Sequence, residues 1–197
     1  MSSRLQKLCV YCGSNPGKIG DYVDMARDLG QAMASRGIGL VYGGASVGVM
    51  GAIADAVLAS GTEVIGVIPE SLATREVAHP NLDHLHVVRS MHERKSLMAE
   101  LSDGFIALPG GWGTLEEIFE ALTWTQLGFH SKPCGLLNVA GYYDHLAIFL
   151  DHAIDQQFVK EEYRPMIIME HGPEQLLDRF ENYQAPQVKK WIGEDET

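Results

Sequence analysis

Short apolar runs alternate with segments of helical periodicity along the whole chain, and this alternation restricts the fold more than any other feature of the sequence. The predicted strands are Lys7–Cys12, Ile38–Tyr42, Val64–Ile68, Leu85–Val88, Phe105–Leu108, Cys134–Val139 and Met166–Met169. The predicted helices are Asp21–Ser35, Val49–Ala59, Met91–Leu101, Thr114–Leu127, Tyr142–Gln157 and Pro173–Tyr183, and Pro69–Leu82 is predicted to be a loop. Such alternation is typical of a parallel sheet covered by helices on both faces. We therefore predict an α/β fold with a Rossmann-like open parallel sheet.

Nothing in the sequence divides the chain into separate units. It has 197 residues, no internal repeat and no Pro- or Ser-rich linker, and 46% of its residues are hydrophobic, which is enough for a sizeable core. We predict a single domain over residues 1–197, with a core at 6–183 and a tail at 184–197.

The charge balance excludes several classes of partner. Lys and Arg number 15 and Asp and Glu number 26, so the formal net charge is −11, and the longest basic cluster is Lys189-Lys190. An acidic chain of this kind is unsuited to nucleic acid or to an anionic membrane surface. The segment Met1–Lys7 has no signal-peptide hydrophobic region, and no apolar segment approaches the ~18–20 residues of a membrane span. We expect a cytoplasmic protein with neither a membrane nor a nucleic-acid partner.

The cysteines and histidines do not indicate a redox or metal site. Cys9-Val-Tyr-Cys12 has the spacing of a redox pair, but it lies inside a predicted strand, where cysteine usually behaves as a small hydrophobic residue. His84-Leu-His86 would place two imidazoles on one side of a strand, yet no further ligand follows at a metal-binding spacing. We predict no metal.

The stretch Pro109-Gly-Gly-Trp-Gly-Thr-Leu-Glu-Glu117 follows one predicted strand and opens a helix. Its three glycines allow the backbone to approach a ligand closely, and the helix N-terminus adds unpaired N–H donors with a partial positive charge. This order of strand, glycine turn and helix predicts a phosphate site. Glu117 lies one turn into the helix, and a carboxylate beside a phosphate indicates chemistry on a phosphorylated substrate.

A structural interpretation of the same residues stays open. Thr114-x-x-Glu117 also matches a capping box, in which Thr114 is the N-cap and Glu117 reaches back to its N–H. A cap alone, however, requires none of the three preceding glycines.

The loops after the other strands hold further candidates. Ser14 places a hydroxyl after the first strand. The second loop carries Gly43-Gly44, Gly48 and Gly51, a pattern that differs from the G-x-G-x-x-G dinucleotide fingerprint and favours a phosphate loop over an NAD site. Close packing of helix against strand would also explain these small residues.

An arginine lies on an apolar helix face. In the predicted helix Met91–Leu101, Arg94 shares a face with Met98. A guanidinium in that position is suited to bidentate recognition of carboxylates, phosphates or base edges, although snorkelling to the surface or a structural ion pair would also account for it. Taken alone, Glu76 in the loop Pro69–Leu82 is best explained as a solvated side chain.

Taken together, these motifs resemble the Lonely Guy (LOG) family. The motifs are Cys12-Gly-Ser, Gly43-Gly44 to Gly51, Arg75-Glu76, Met91-His-x-Arg94-Lys95 and Pro109-Gly-Gly-x-Gly-Thr-x-x-Glu117, and the resemblance runs from about residue 7 to about residue 180. It implies a phosphoribohydrolase that releases cytokinin-type bases from their riboside 5′-monophosphates. Trp112 stands where the family commonly has Tyr, and Val49 where Leu is frequent. Similar proteins are often labelled possible lysine decarboxylases, but no lysine here stands in a recognisable pyridoxal-phosphate context.

The resemblance assigns roles by position. It makes Arg94 and Glu117 the catalytic pair, and it places the 5′-phosphate on Gly111, Gly113 and Thr114. With the loop residues above, the predicted substrate-binding set is Ser14, Gly43, Gly44, Glu76, Lys95, Gly110, Gly111, Trp112, Gly113, Thr114 and Thr123.

The resemblance also implies a partner and leaves alternatives for the function. It implies no cofactor and a homodimer that shares residues across its interface; Trp124 and Leu127 fit such an interface or the core equally well. A general AMP nucleosidase and a non-catalytic nucleotide-binding protein remain the alternatives to a cytokinin-releasing enzyme.

Overall fold

Seven parallel strands form one continuous sheet. The computed structural model describes residues 5–73, 78–82 and 84–186. The strands are β1 (Lys7–Tyr11), β2 (Gly39–Tyr42), β3 (Val64–Pro69), β4 (His84–Val88), β5 (Phe105–Ala107), β6 (Cys134–Leu137) and β7 (Ile167–Glu170), in the spatial order β4-β3-β2-β1-β5-β6-β7. All six pairings are parallel. The predicted Rossmann-like α/β fold is confirmed.

Helices connect the strands. They are α1 (Asp21–Ser35), α2 (Gly48–Ala59), α3 (Glu70–Ala73), α4 (Met91–Glu100), α5 (Trp112–Leu127), α6 (Asp144–Asp155) and α7 (Pro173–Glu181), with 3₁₀ segments at Val139–Gly141 and Glu161–Met166. Within the described ranges, none of these helices is both long and apolar enough to cross a membrane.

The central strands of the sheet are buried on both faces. Leu8 and Val10 pack with helices α1, α2 and α7, whereas Cys9 and Tyr11 pack with α4, α5 and the start of α6, as expected for side chains that alternate along a strand. Cys9 is fully buried, and burial raises the pKa of its thiol far above the ordinary range. The interpretation of this cysteine as a core residue is therefore confirmed.

Several predicted boundaries differ from the structure. The short helix α3 lies where a loop was predicted, and α5 begins at Trp112 instead of Thr114. Strand β6 ends at Leu137 and α6 begins only at Asp144, because Ala140 and Gly141 between them adopt left-handed backbone conformations with φ of 49° and 74°. A residue in that region continues neither a strand nor a right-handed helix.

The strand order defines where a ligand would bind. The chain proceeds from β1 outward to β4 and then returns to the opposite side of β1 as β5. The loops after β1 and β5 therefore leave the sheet side by side at the point where the direction of winding reverses. Open α/β sheets bind ligands in the crevice at this point.

Candidate functional site

A cleft of about 260 Å³ lies at this reversal point. Its walls are the loop after β1 and the loop after β5, and the N–H of Gly13 donates a 3.1 Å hydrogen bond to the carbonyl of Pro109 between them. The lining residues are Gly13, Ser14, Asn15, Pro16, Gly17, Tyr22, Val49, Pro109, Gly110, Gly111 and Tyr142. The predicted residues Ser14, Gly110 and Gly111 are thus brought together in one cleft.

Helix α5 starts at this cleft. Gly111 is its N-cap residue, with an extended backbone (φ −93°, ψ −152°), and no side-chain capping hydrogen bond is formed there within the described part of the chain. The first N–H groups of a helix have no partner within it, so those of α5 are free to bind an anion. The alternative of a capping box is wrong: the chain enters the helix two residues before Thr114, so Thr114 and Glu117 are both helical residues.

The three glycines of this loop differ in what surrounds them. A methyl group on Gly110 would lie 2.1 Å from the Oγ1 of the buried Thr114, so the fold itself requires glycine there. A methyl group on Gly111 or Gly113 would meet no described atom within 4 Å. Packing among the described residues therefore gives no reason for glycine at these two positions, whereas a ligand held against the backbone would.

Arg94 and Glu117 form a buried ion pair beside the loop. Nη2 of Arg94, on α4, lies 3.6 Å from Oε1 of Glu117, on α5, and the two side chains are 7% and 6% exposed. Nη1 of Arg94 contacts the sulfur of Met91 at 3.8 Å, and its buried Nε has no hydrogen-bond partner in the described part of the chain. Since buried polar groups are normally satisfied, this guanidinium retains donors for a ligand. It does not snorkel to the surface.

The environment of Glu117 favours its neutral form. Burial raises the pKa of the Glu117 carboxyl to about 7; the positive charge of Arg94 opposes this shift, and the neighbouring charge of Glu116 adds to it. A carboxyl group that titrates near neutral pH can accept and return a proton under physiological conditions.

The second glycine loop positions the arginine. A methyl group on Gly43 would lie 2.4 Å from Nη2 of Arg94, and Gly44 has φ of +81°. The guanidinium therefore occupies the space that a side chain at residue 43 would fill. This contact accounts for glycine at residue 43 through the close approach of Arg94, and the assignment of Gly43 and Gly44 to substrate binding stays a prediction.

Lys95 is engaged by two carboxylates. Its Nζ lies 2.5 Å from Oε1 of Glu116 and 3.0 Å from Oε1 of Glu120, both on α5. Desolvation lowers the pKa of Lys95, but these two hydrogen bonds outweigh it and raise the pKa overall. The predicted site residues do not include Glu116 and Glu120, although the i, i+4 spacing of these two glutamates places both on one helix face next to Glu117.

The remaining predicted residues lie apart or outside the described chain. Trp112 is 89% exposed at the start of α5. Thr123 donates its hydroxyl to the carbonyl of Phe119 and lines a different, mainly apolar groove that also includes Tyr163. Glu76 lies outside the described residues. The roles predicted for all three residues stay predictions.

Comparison with known proteins identifies the family. Residues 50–180 match the family model described as "Possible lysine decarboxylase". The cytokinin riboside 5′-monophosphate phosphoribohydrolase LOG of Oryza sativa subsp. japonica is 49% identical over 181 residues, which cover 92% of this chain and 75% of that protein. The chain belongs to the LOG family. An Arabidopsis thaliana LOG enzyme with the same described activity is 47% identical over 181 residues, covering 92% of this chain and 84% of its own.

Solved structures share the fold of this LOG-family chain. A molybdenum cofactor binding protein from Rippkaea orientalis superposes with a TM-score of 0.68 over 92% of this chain and 98% of its own, at 24% identity. The Moco carrier protein of Chlamydomonas reinhardtii gives a TM-score of 0.67 over 91% of this chain and 97% of its own, at 21% identity. At these identities the likeness establishes the architecture alone.

Proposed function

We propose that this protein hydrolyses the N-glycosidic bond of cytokinin-type riboside 5′-monophosphates, releasing the free base and ribose 5-phosphate. One observation carries the proposal: the buried Arg94–Glu117 pair lies about one and a half helical turns beyond a helix N-terminus whose N-cap residue is Gly111. The described activity of the LOG relatives supports the same reaction.

The start of α5 would hold the phosphate. The free N–H groups at Gly111, Trp112 and Gly113 carry the partial positive charge of the helix N-terminus, and no side chain competes for them. A helix rises ~1.5 Å per residue, so Glu117 is ~8 Å further along the axis. Its side chain leans back toward the N-terminus, as helical side chains do, and the remaining distance is one that a ribose ring can bridge.

Glu117 would act at the anomeric carbon. As the bond from this carbon to the base nitrogen breaks, positive charge develops on the ribose ring, and a nearby carboxylate stabilises it. A water oxygen then forms the new bond to the carbon, and a proton from that water replaces the lost bond on the base nitrogen. With a pKa of about 7, Glu117 can also accept this proton from water and pass it on.

Arg94 would interact with the departing base and with the carboxylate of Glu117. Its charge keeps part of the Glu117 population ionised, since it opposes the rise in pKa that burial causes. Its unpaired Nε and the 3.6 Å separation from Glu117 leave donors that can orient the base or stabilise negative charge developing on it.

The described structure favours catalysis over simple nucleotide binding. A binding protein gains nothing from a buried carboxylate close to a phosphate, because the two negative charges repel each other. Glu117 is buried at this point, 3.6 Å from the guanidinium of Arg94. General AMP nucleosidase activity differs from the proposed activity only in the base that is accepted. The assay below distinguishes the two by comparing AMP with an N6-modified nucleotide.

A product assay tests the proposal. Purified protein is incubated with N6-isopentenyladenosine 5′-monophosphate, with AMP and with N6-isopentenyladenosine, and the free base is quantified by chromatography. We expect release from the first substrate, less from AMP, and far less from the unphosphorylated nucleoside because it lacks the anchoring phosphate. Equal turnover of nucleoside and nucleotide would refute the phosphate site, and AMP as the best substrate would favour the nucleosidase.

The reaction should proceed without a divalent metal. The described residues contain no group of three His, Cys, Asp or Glu side chains that could hold a metal ion. We expect EDTA to leave the activity unchanged; loss in EDTA and recovery with a divalent ion would contradict this expectation.

A homodimer in the cytoplasm remains part of the proposal. Helix α6 and the segment after it expose Ile148, Phe149 and Phe158, and such apolar exposure supports association with a second copy. Trp124 and Leu127 are half-buried, which fits either a dimer interface or the core. Light scattering after size exclusion tests the dimer, and a monomeric mass would contradict it.

A further inference from the structure

Two adjacent tyrosines bind the loop that would carry the phosphate. The hydroxyl of Tyr142 donates a 2.6 Å hydrogen bond to the carbonyl of Gly110, and the hydroxyl of Tyr143 donates a 2.7 Å hydrogen bond to the carbonyl of Leu108. Tyr143 is buried, whereas Tyr142 is 42% exposed and lines the cleft.

The orientation of the Gly110 carbonyl fixes the direction of the Gly111 N–H. In a trans peptide, the C=O of one residue and the N–H of the next point in opposite directions. Holding the carbonyl of Gly110 therefore also fixes the N–H of Gly111, the N-cap residue of α5. A rotated peptide would instead present a carbonyl oxygen, which repels a phosphate.

The ring of Tyr142 connects the two walls of the cleft. It contacts Tyr22 edge to face, with ring centroids 5.7 Å apart, and a methyl group on Gly17 would lie 2.5 Å from the Tyr22 ring, so the loop after β1 rests on that ring. One side chain thus contacts the loop after β5 through its hydroxyl and supports the loop after β1 through its ring.

The segment that carries both tyrosines is itself fixed. The side chain of Asn138 accepts a hydrogen bond from the backbone N–H of Tyr143 and donates one to Asp144, at 2.8 and 2.7 Å. Ala140 takes a left-handed conformation, which is unfavourable for a residue with a Cβ. The left-handed turn and the Asn138 bonds are the local features that direct the two hydroxyls toward the carbonyls of Leu108 and Gly110 after β5.

We propose that Tyr142 is a positioning residue of the phosphate site, which acts by holding the Gly110 peptide so that the Gly111 N–H stays available to the phosphate. This inference rests on the proposed function for its substrate, a ribose 5-phosphate group, but its test uses binding as well as turnover. Tyr142 does not touch the reacting bond.

The test compares Tyr142→Phe with Tyr143→Phe. Both variants lose one tyrosine hydroxyl and one hydrogen bond to a backbone carbonyl, and both keep the ring. Affinity for ribose 5-phosphate is measured by calorimetry, KM and kcat are measured with N6-isopentenyladenosine 5′-monophosphate, and thermal unfolding is recorded for each.

For Tyr142→Phe we expect a Kd for ribose 5-phosphate and a KM about three- to tenfold higher than wild type, the range that follows from one hydrogen bond, with kcat reduced less than about twofold. For Tyr143→Phe we expect a lower melting temperature and a Kd within about twofold of wild type, because its buried hydroxyl contacts the carbonyl of Leu108, whose peptide does not carry the Gly111 N–H.

An unchanged Kd in Tyr142→Phe would overturn the proposal, as would an equal loss of affinity in both variants, which would indicate a general effect of stability. If the wild-type protein binds ribose 5-phosphate but releases no base, the proposed function fails while the ratio of Kd values still decides the role of Tyr142. If the wild type does not bind ribose 5-phosphate, the positioning role is overturned whatever the turnover.

Discussion

The guanidinium of Arg94 and the carboxylate of Glu117 lie 3.6 Å apart, with both side chains more than nine-tenths buried. This separation is longer than a hydrogen bond, so the carboxylate does not saturate the guanidinium donors, and they remain available to a third group beside the pair. The attraction does not fully offset the cost of burying the carboxylate, because the pKa of Glu117 still rises to about 7. The fold thus tolerates an unfavourable charge at the place where the proposed chemistry needs one.

The first prediction concerns stability. The pKa of Glu117 is 4.5 ordinarily and about 7 in the folded protein, so the folded state binds more protons between these values, and stability falls as the pH rises through this window. Glu117→Gln mimics the protonated form. At pH 8 we expect the variant to be more stable than wild type by up to about 3 kcal/mol, shrinking to about 1 kcal/mol or less at pH 5. Urea unfolding at both pH values measures this.

Glu116→Gln is the matched control for that experiment. Glu116 is adjacent in sequence but 54% exposed, and it is paired with Lys95. Its replacement removes an equal charge without relieving burial, so we expect no gain at pH 8. A Glu117→Gln protein less stable than wild type at pH 8 would contradict the assigned cost of burial.

The second prediction concerns the pH dependence of the reaction. If the Glu117 carboxylate is the reactive form, kcat/KM should rise about tenfold per pH unit below pH 7 and level off above it. The substrate phosphate has its own pKa of ~6, so the pH profile of the wild type alone does not identify the titrating group. A variant that changes the pKa of Glu117 but not that of the phosphate identifies it. Arg94 lowers the pKa of Glu117, so the residual activity of Arg94→Gln should show this rise at higher pH. A rise at the same pH in both proteins would assign the titration to another group.

The third prediction separates two neighbouring glycines. Gly111→Ala should melt like wild type, since its methyl group meets no described atom and its φ of −93° is ordinary. Its KM should rise at least about tenfold, because the methyl group occupies the space of the phosphate. Gly110→Ala should lose about 1–3 kcal/mol of stability, because its methyl group collides with Thr114. Thermal unfolding and KM are measured for each. A wild-type KM in folded Gly111→Ala would remove the phosphate from this loop.

Much of the fold could be predicted because it depends on local patterns. The bounds of α1 match the prediction residue for residue, since apolar positions such as Ala26, Leu29 and Met33 recur on one face and Gly37 follows the helix. The strands were found from short apolar runs bounded by turn residues. The order of the elements then restricted the topology to a parallel sheet.

The errors arose at element boundaries where the backbone adopts a conformation that the residue types do not signal. Thr114 reads as an N-cap in isolation, yet the extended backbone of Gly111 starts the helix earlier. Ala140 carries no signal for its left-handed conformation, which accompanies the hydrogen bonds of Asn138 with residues further along the chain. These bonds span only five and six residues, but they form only once the turn brings Asn138 beside Tyr143 and Asp144, and the residue type at position 140 does not signal that turn.

The candidate site could be predicted in part for the same reason. The glycines of the loop at Gly110 and Gly111 indicate a ligand site, and the position of Arg94 on an apolar helix face indicates a buried guanidinium. The contact of Gly43 with Arg94, and the bond from Tyr142 to Gly110, join residues that are 51 and 32 positions apart, as their numbers give. No spacing rule relates residues across that distance.

The turnover of Glu117→Gln on N6-isopentenyladenosine 5′-monophosphate tests the central claim most directly. Glutamine preserves the size and hydrogen-bonding shape of the side chain but removes its charge. We predict a folded protein whose kcat falls by about two or more orders of magnitude, the range typical of a missing acid–base group. Arg94→Ala should show a comparable loss, and the double variant should be little worse than either, because residues that act as a unit are not additive. A folded Glu117→Gln protein with near-wild-type kcat would contradict the catalytic role of the pair.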